Sequence, residues 1–256
     1  MTLVLKPGYS FDSDASTYID AVETADGQAL ETGVRVAIND FVLGCKQDEI
    51  WDAIKASCIL AGARTTNGAL VPLVGTAPTP NNFDLVGNTD YDRKTGLKGD
   101  GSTKELKTGV LGSSLPQNSF SLGLHVSVPG GSLRALIDGG RSLAGASNIV
   151  GGGGSCSFRN RNSTVTTQAV EALGFIGSSR SVSSAYNYRF NDTTYASSTA
   201  SQTPNSDEIT VFNFSRTPFS YSNARLSFYS IGESLDLAAL DTRVSNLITA
   251  IGAAIP

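Results

Sequence analysis

Acid–base and nucleophilic chemistry need paired groups, and the carboxylates of this 256-residue chain are scattered. Retaining glycoside hydrolysis sets two carboxyl groups about 5 Å apart, a spacing that alternate positions on one strand can supply. Glu105, Glu171, Glu208 and Glu233 each stand alone. Asp207 and Glu208 are adjacent, so on a strand they point to opposite faces. His125 is the single histidine, and any Ser-His-Asp or Cys-His mechanism would have to pass through it. It falls mid-strand on the polar side of an alternating run, the place of an exposed structural side chain. Cys45, Cys58 and Cys156 lack metal-ligand spacing and cannot all pair; the last two lie in apolar patterns and read as buried thiols. Asp100, Asp138 and Asp192 occupy turns that could face Ca²⁺, but no EF-hand-like spacing links them. No catalytic residue, metal site or cofactor is therefore expected.

Sugar recognition is the small-ligand chemistry that survives. Tyr186, Tyr188 and Tyr195 could stack on pyranose rings, with Arg189 supplying hydrogen bonds beside them. Tyr186, Tyr188 and Phe190 are in phase on one strand face, so core packing competes with that reading. The single tryptophan, Trp51, reads as a core anchor rather than a binding platform.

The elements that must position these groups change character along the chain. Asp12 to Asp26 and Ala29 to Val42 carry helical spacing, and Asp48 precedes EIWDAIKASCILAG, in which Ile50, Trp51, Ile54, Cys58 and Ile59 predict a third helix. Residues 1–62 are thus expected to form a helical docking region. Residues 63–90 hold Pro72, Pro78 and Pro80 among glycines and read as a connector. From residue 91 to 232 strand logic takes over: Phe120, Leu122, Leu124, Val126 and Val128 alternate with Ser121, Gly123, His125 and Ser127. Further short strands with turn signals between them predict an antiparallel jelly-roll sandwich, mainly β. The Ser/Thr-rich run from Ser197 to Ser206 reads as a mobile rim loop.

Over residues 225–231 the pattern is a strand, with Leu226 and Phe228 assigned to one face. After Gly232 it becomes a helix, in which Leu237, Leu240, Val244, Leu247 and Ile251 form one stripe. Residues 233–256 are accordingly an amphipathic helix. Its stripe must be buried against the preceding strands or against other copies, and a homo-oligomer, with a trimer favoured, follows from the second choice.

Composition removes two partner classes. A net charge of −4 offers no general attraction to nucleic acid, and no apolar run approaches the ~20 residues that span a bilayer. The opening MTLVLKPGYS is broken by Lys6 and Pro7, which reads as neither signal nor anchor and predicts a product made in the cytoplasm.

DYDRKTGLKGDGSTKEL at 90–106 and ARLSFYSIGESLDL at 224–237 resemble the concanavalin A-like, or laminin G-like, jelly rolls. IKASCILAGARTTNGALVPLVG, the connector and RKTGLKGDGSTKEL, taken together, look like the modular structural proteins of tailed bacteriophages and prophages. That resemblance implies a non-enzymatic virion component, in a fibre, in the tail or as a capsid decoration, whose partners are other virion proteins. The alternative it leaves open is a carbohydrate-binding adhesin for host surface polysaccharide.

Overall fold

The computed structural model describes residues 10–140, 143–214 and 220–256. Residues 1–9, read above as neither signal nor anchor and as the start of the docking region, lie outside them. Three layers stack on one another: helices, a first sheet and a second sheet. α1 (Ser13–Asp26) and α2 (Thr32–Gln47) come first, and α4 (Leu237–Ala254) ends the chain, with the short α3 (Thr66–Ala69) between. Asp12 caps α1 through its carboxylate on the Asp14 N–H, and Asp236 caps α4 on the Ala238 and Ala239 N–H groups.

The first sheet runs β13 (Thr193–Ser197), β12 (Tyr186–Phe190), β11 (Gly174–Arg180), β6 (Phe120–Val128), β15 (Arg225–Gly232), β4 (Gly96–Lys98) and β3 (Tyr91–Asp92), with β1 (Ile54–Ile59) also paired to β15. The second runs β10 (Thr166–Gln168), β9 (Ser155–Arg159), β8 (Asn148–Gly152), β7 (Arg134–Asp138), β14 (Glu208–Val211), β5 (Glu105–Leu111) and β2 (Thr79–Asn81). Every pairing described is antiparallel, for example Ser178 opposite Leu122 and Ser178 opposite Tyr188. The fold is mainly β, a jelly-roll sandwich with a small N-terminal helical region and a C-terminal helix.

Two cores result. Leu122, Leu124, Leu136, Ile137, Phe158 and Tyr229 fill the space between the sheets, while Val34, Phe41, Phe175, Phe228, Leu240 and Val244 fill the space between the first sheet and the helices. The second core explains the small residues on the polar side of β6 and β11. A Cβ on Gly123 would stand 3.2 Å from Leu240 Cδ2, and one on Gly177 would stand 2.9 Å from Leu237 Cδ2. These glycines, with Ser121, Ser179 and Ser230, let α4 lie flat on the sheet.

The structure bears on several of the expectations. The third helix does not form: Ile54–Ile59 is a strand registered along β15 from Ile54 opposite Gly232 to Ile59 opposite Phe228. A strand covered on both faces reads as a continuous apolar run, whose spacing also satisfies a helix. The region 1–62 consequently adds a strand to the sandwich rather than standing apart, and within 63–90 β2 pairs with β5. Leu226 and Phe228 do not share a face. A bulge between them turns Leu226 into the inter-sheet core and Phe228 toward the helices. The stripe Leu237, Leu240, Val244, Leu247 and Ile251 is at most 3 % exposed within a single chain. Those five side chains cover the protein's own sheet and helices, so they are not a seam between copies.

Candidate functional site

Of the tyrosines considered for sugar stacking, two are core. Tyr186 is 2 % and Tyr188 5 % exposed. The Tyr186 hydroxyl donates to Thr166 Oγ1 at 2.9 Å, and Gln168 Nε2 donates to the Tyr188 hydroxyl at 2.9 Å. Burial raises the Tyr186 hydroxyl above the ordinary range. Arg189 lies on the other face of the same strand, where its Nε meets Asp241 Oδ2 at 2.7 Å beneath α4. Asp241 is itself buried and also accepts from Ser245 Oγ at 3.0 Å. Tyr195 alone reaches solvent, at 39 %, with its ring stacked on Tyr188 and Phe190. The proposed quartet is therefore split between the inter-sheet core, a buried ion pair and one edge aromatic, because alternation along β12 sends neighbours to opposite faces.

His125 is not the exposed side chain expected. Its Nδ1 lies 2.6 Å from Ser227 Oγ on the helix side of the sheet, and desolvation pulls its pKa down to about 4. A Ser–His hydrogen bond invites a nucleophile reading, but Ser227 is 0 % exposed and no substrate reaches it. The thiols are equally closed: burial pushes Cys45, Cys58 and Cys156 up to about 12. Asp138 is buried at the end of β7, where it accepts from Gly140 N–H and Asn148 Nδ2. Asp100 accepts from the N–H groups of Ser102, Thr103 and Lys104, which hold its carboxyl below the usual range. Among the described residues no group of three His, Cys, Asp or Glu could hold a metal ion.

The rim run 197–206 is pinned. Arg180 donates to the carbonyls of Asn160, Val182, Ser183, Ala185 and Thr199, and Gln202 N–H donates to Arg161 O at 2.6 Å.

An open concavity lies instead on the helical side. A cleft of about 590 Å³ is lined by Asp14, Thr17, Tyr18 and Ala21 of α1, by Trp51, Asp52, Ile54 and Lys55, and by Val71 to Gly75. It continues past Trp51 into a second hollow bounded by Asp14, Lys46, Glu49, Trp51 and Asp52. Trp51, partly buried, packs against the helix-side core as expected of an anchor and also lines both hollows, together with Asp14 and Asp52.

The turn that carries it is braced from every side. Glu49 adopts a left-handed φ of 58°, and the Ile50 and Trp51 N–H groups both donate to Cys45 O. Asp48 is gripped by Arg243 Nε at 2.7 Å and Nη2 at 2.9 Å, which lowers its carboxyl and raises the guanidinium. Gly44 has no room for a Cβ because the Arg243 side chain crosses there. Lys46 Nζ bonds Asp12 Oδ1 and Asp14 Oδ2, each at 2.7 Å, and sits 5.8 Å from the indole centroid. The opposite wall is tied to β1, where Ser57 N–H donates to Val74 O at 3.0 Å and Leu73 N–H to Ser57 O at 2.9 Å. The backbone that carries the indole is thus held in place before any ligand arrives. Nothing in the helical spacing of residues 49–62 pointed here; the signal available was the polar Asp48-Glu49 step directly before the tryptophan.

No family model matches the chain, and no curated protein matches it. Solved structures do. The binding domain of botulinum neurotoxin serotype D is similar at a TM-score of 0.50 and 8% identity, over 75% of this chain and 50% of that one. Domains LG4-5 of the mouse laminin alpha1 chain match at a TM-score of 0.40 and 13% identity, over 65% and 47% of the two chains. The present chain spans about half the length of these solved chains. At such identity the likeness is one of fold.

Proposed function

We propose that this chain is a non-enzymatic binding module whose ligand is a glycan on a host cell surface. The observation that carries the reading is the braced aromatic cleft around Trp51, in a molecule whose thiols are buried and whose histidine is paired with the buried Ser227. A preformed concavity with an apolar wall and a few polar groups is the usual form of a small-ligand site. The fold supports it, since the serotype D structure named above is itself a binding domain. The resemblance carried by IKASCILAGARTTNGALVPLVG, the connector and RKTGLKGDGSTKEL favours a setting on a phage particle, among other virion proteins. A homotrimer there would need a surface other than the α4 stripe.

The test is binding of the full chain to a glycan array and to whole bacterial cells with and without their surface polysaccharide. Saturable binding that disappears with the polysaccharide is expected. Cell binding that survives its removal, or no binding to any glycan, overturns the reading. Mass spectrometry of purified particles tests the setting, and absence of the chain from them refutes it.

A further inference from the structure

We infer that the Trp51 cleft is a subsite for an uncharged pyranose, which stacks on the indole while Asp52 accepts from its hydroxyl groups. This rests on the reading of the chain as a glycan-binding module and assigns that reading a place and a ligand class.

Three features of the cleft select the ligand. The first is the wall: a flat, rigid indole with Tyr18, Val71, Pro72 and Val74 around it offers area to the C–H face of a sugar at little cost in side-chain entropy. The backbone of Trp51 is fixed by its main-chain N–H bond to Cys45 O and by the turn closed from Ile54 N–H to Trp51 O at 3.1 Å, and its ring packs against the helix-side core. The second is the acceptor. The Asp52 carboxylate is exposed beside the ring and engages no side chain among the described residues. Free carboxylates accept from hydroxyl groups without a counter-charge. The third is the charge balance. Lys46 is already held by Asp12 and Asp14, and Lys55 Nζ by Glu233 at 3.2 Å, so the cations of the cleft are neutralised. Asp52 and Glu49 remain, and they repel an anionic sugar.

A cationic peptide could also lie against an indole flanked by carboxylates. The observations favour the sugar because one side of the ring already carries the Lys46 ammonium. That cation–π position is already taken, and the rest of the wall, with Val71, Pro72 and Val74, is apolar and suits a neutral ring.

Trp51 is the single tryptophan of the chain, so tryptophan emission, excited selectively over the eight tyrosines, reports on this cleft. The experiment titrates the full chain with lactose, maltose, cellobiose and diacetylchitobiose, with 3′-sialyllactose as the anionic counterpart and tetra-arginine as the cationic one. Free N-acetyltryptophanamide controls for solvent effects. A saturable emission change with at least one neutral disaccharide is expected, with binding at least about ten-fold weaker for the sialylated sugar, the equivalent of about 1.4 kcal/mol. Asp52→Asn, an exposed change that leaves the fold intact, is expected to weaken the neutral sugar about ten-fold. Array or calorimetric binding of a glycan with Trp51 emission unchanged, and with Asp52→Asn as tight as wild type, overturns the subsite and leaves the module standing. Saturation by tetra-arginine alone overturns it in favour of a peptide. Absence of glycan binding in every format overturns both.

Discussion

Leu240→Ala tests whether the α4 stripe belongs to the monomer. Leu240 is fully buried, and its Cδ2 lies on Gly123 of β6, in the core shared with Phe175 and Phe228. Truncation removes apolar atoms from a site walled by a sheet and two helices, which cannot collapse to refill it. Substitutions of this kind cost about 3–5 kcal/mol through lost transfer free energy and the residual cavity. For a domain of this size each kcal/mol lowers Tm by about 2–4 °C, so a fall of roughly 10 °C is expected. Urea unfolding is then run over about a hundred-fold range of protein concentration, because a stripe closed by other copies makes the midpoint rise with concentration. Within one chain the midpoint stays put. A midpoint that climbs with concentration in the wild type, together with a loss under about 1 kcal/mol in the variant, would falsify the intramolecular assignment.

Arg189→Met strands the buried Asp241 carboxylate beneath α4 and is expected to cost about 3–5 kcal/mol in chemical denaturation, whereas the double change to Met and Leu recovers most of it. If single and double variants lose the same amount, the pair is not buried as described. His125 gives the pH dependence. Its folded pKa of about 4 lies below the ordinary value of 6.5, so its contribution is complete above pH 6.5 and is lost as pH falls toward 4. The lone histidine ring resonance should stay in its neutral position until about pH 4, and titration near 6.5 in the folded protein would contradict its burial. The three thiols, raised to about 12, should resist Ellman's reagent until denaturant is added, and a rapid native reaction at any of them would show an open path to it.

How much of the molecule was legible varies by element. α1 and α2 and the α4 stripe were plain, because a helix with one apolar face writes its period into the chain. β6 was equally plain, yet its polar side was misjudged. Ser121, Gly123 and Ser127 alternate like a solvated face, and only the arrival of α4 and the loop at Thr95 shows them to be spacers beneath a third layer. β1 was lost to the opposite error, since burial on both sides erases the alternation that marks a strand. At the site, Tyr186 and Tyr188 carried the right chemistry in the wrong place, while Trp51 was set aside by a helical period that the chain does not adopt there.

Residue type and order alone determined the sheet-rich class, the closing strand and helix, and the shortage of paired reactive groups, since each depends on local period or on simple presence. Which faces are covered, where a bulge reverses a side chain, and that Trp51 stands between α1 and the strap at 71–75 were decided by tertiary packing. These depend on contacts between segments far apart in the chain, as between Asp48 and Arg243, and no local pattern records such distances.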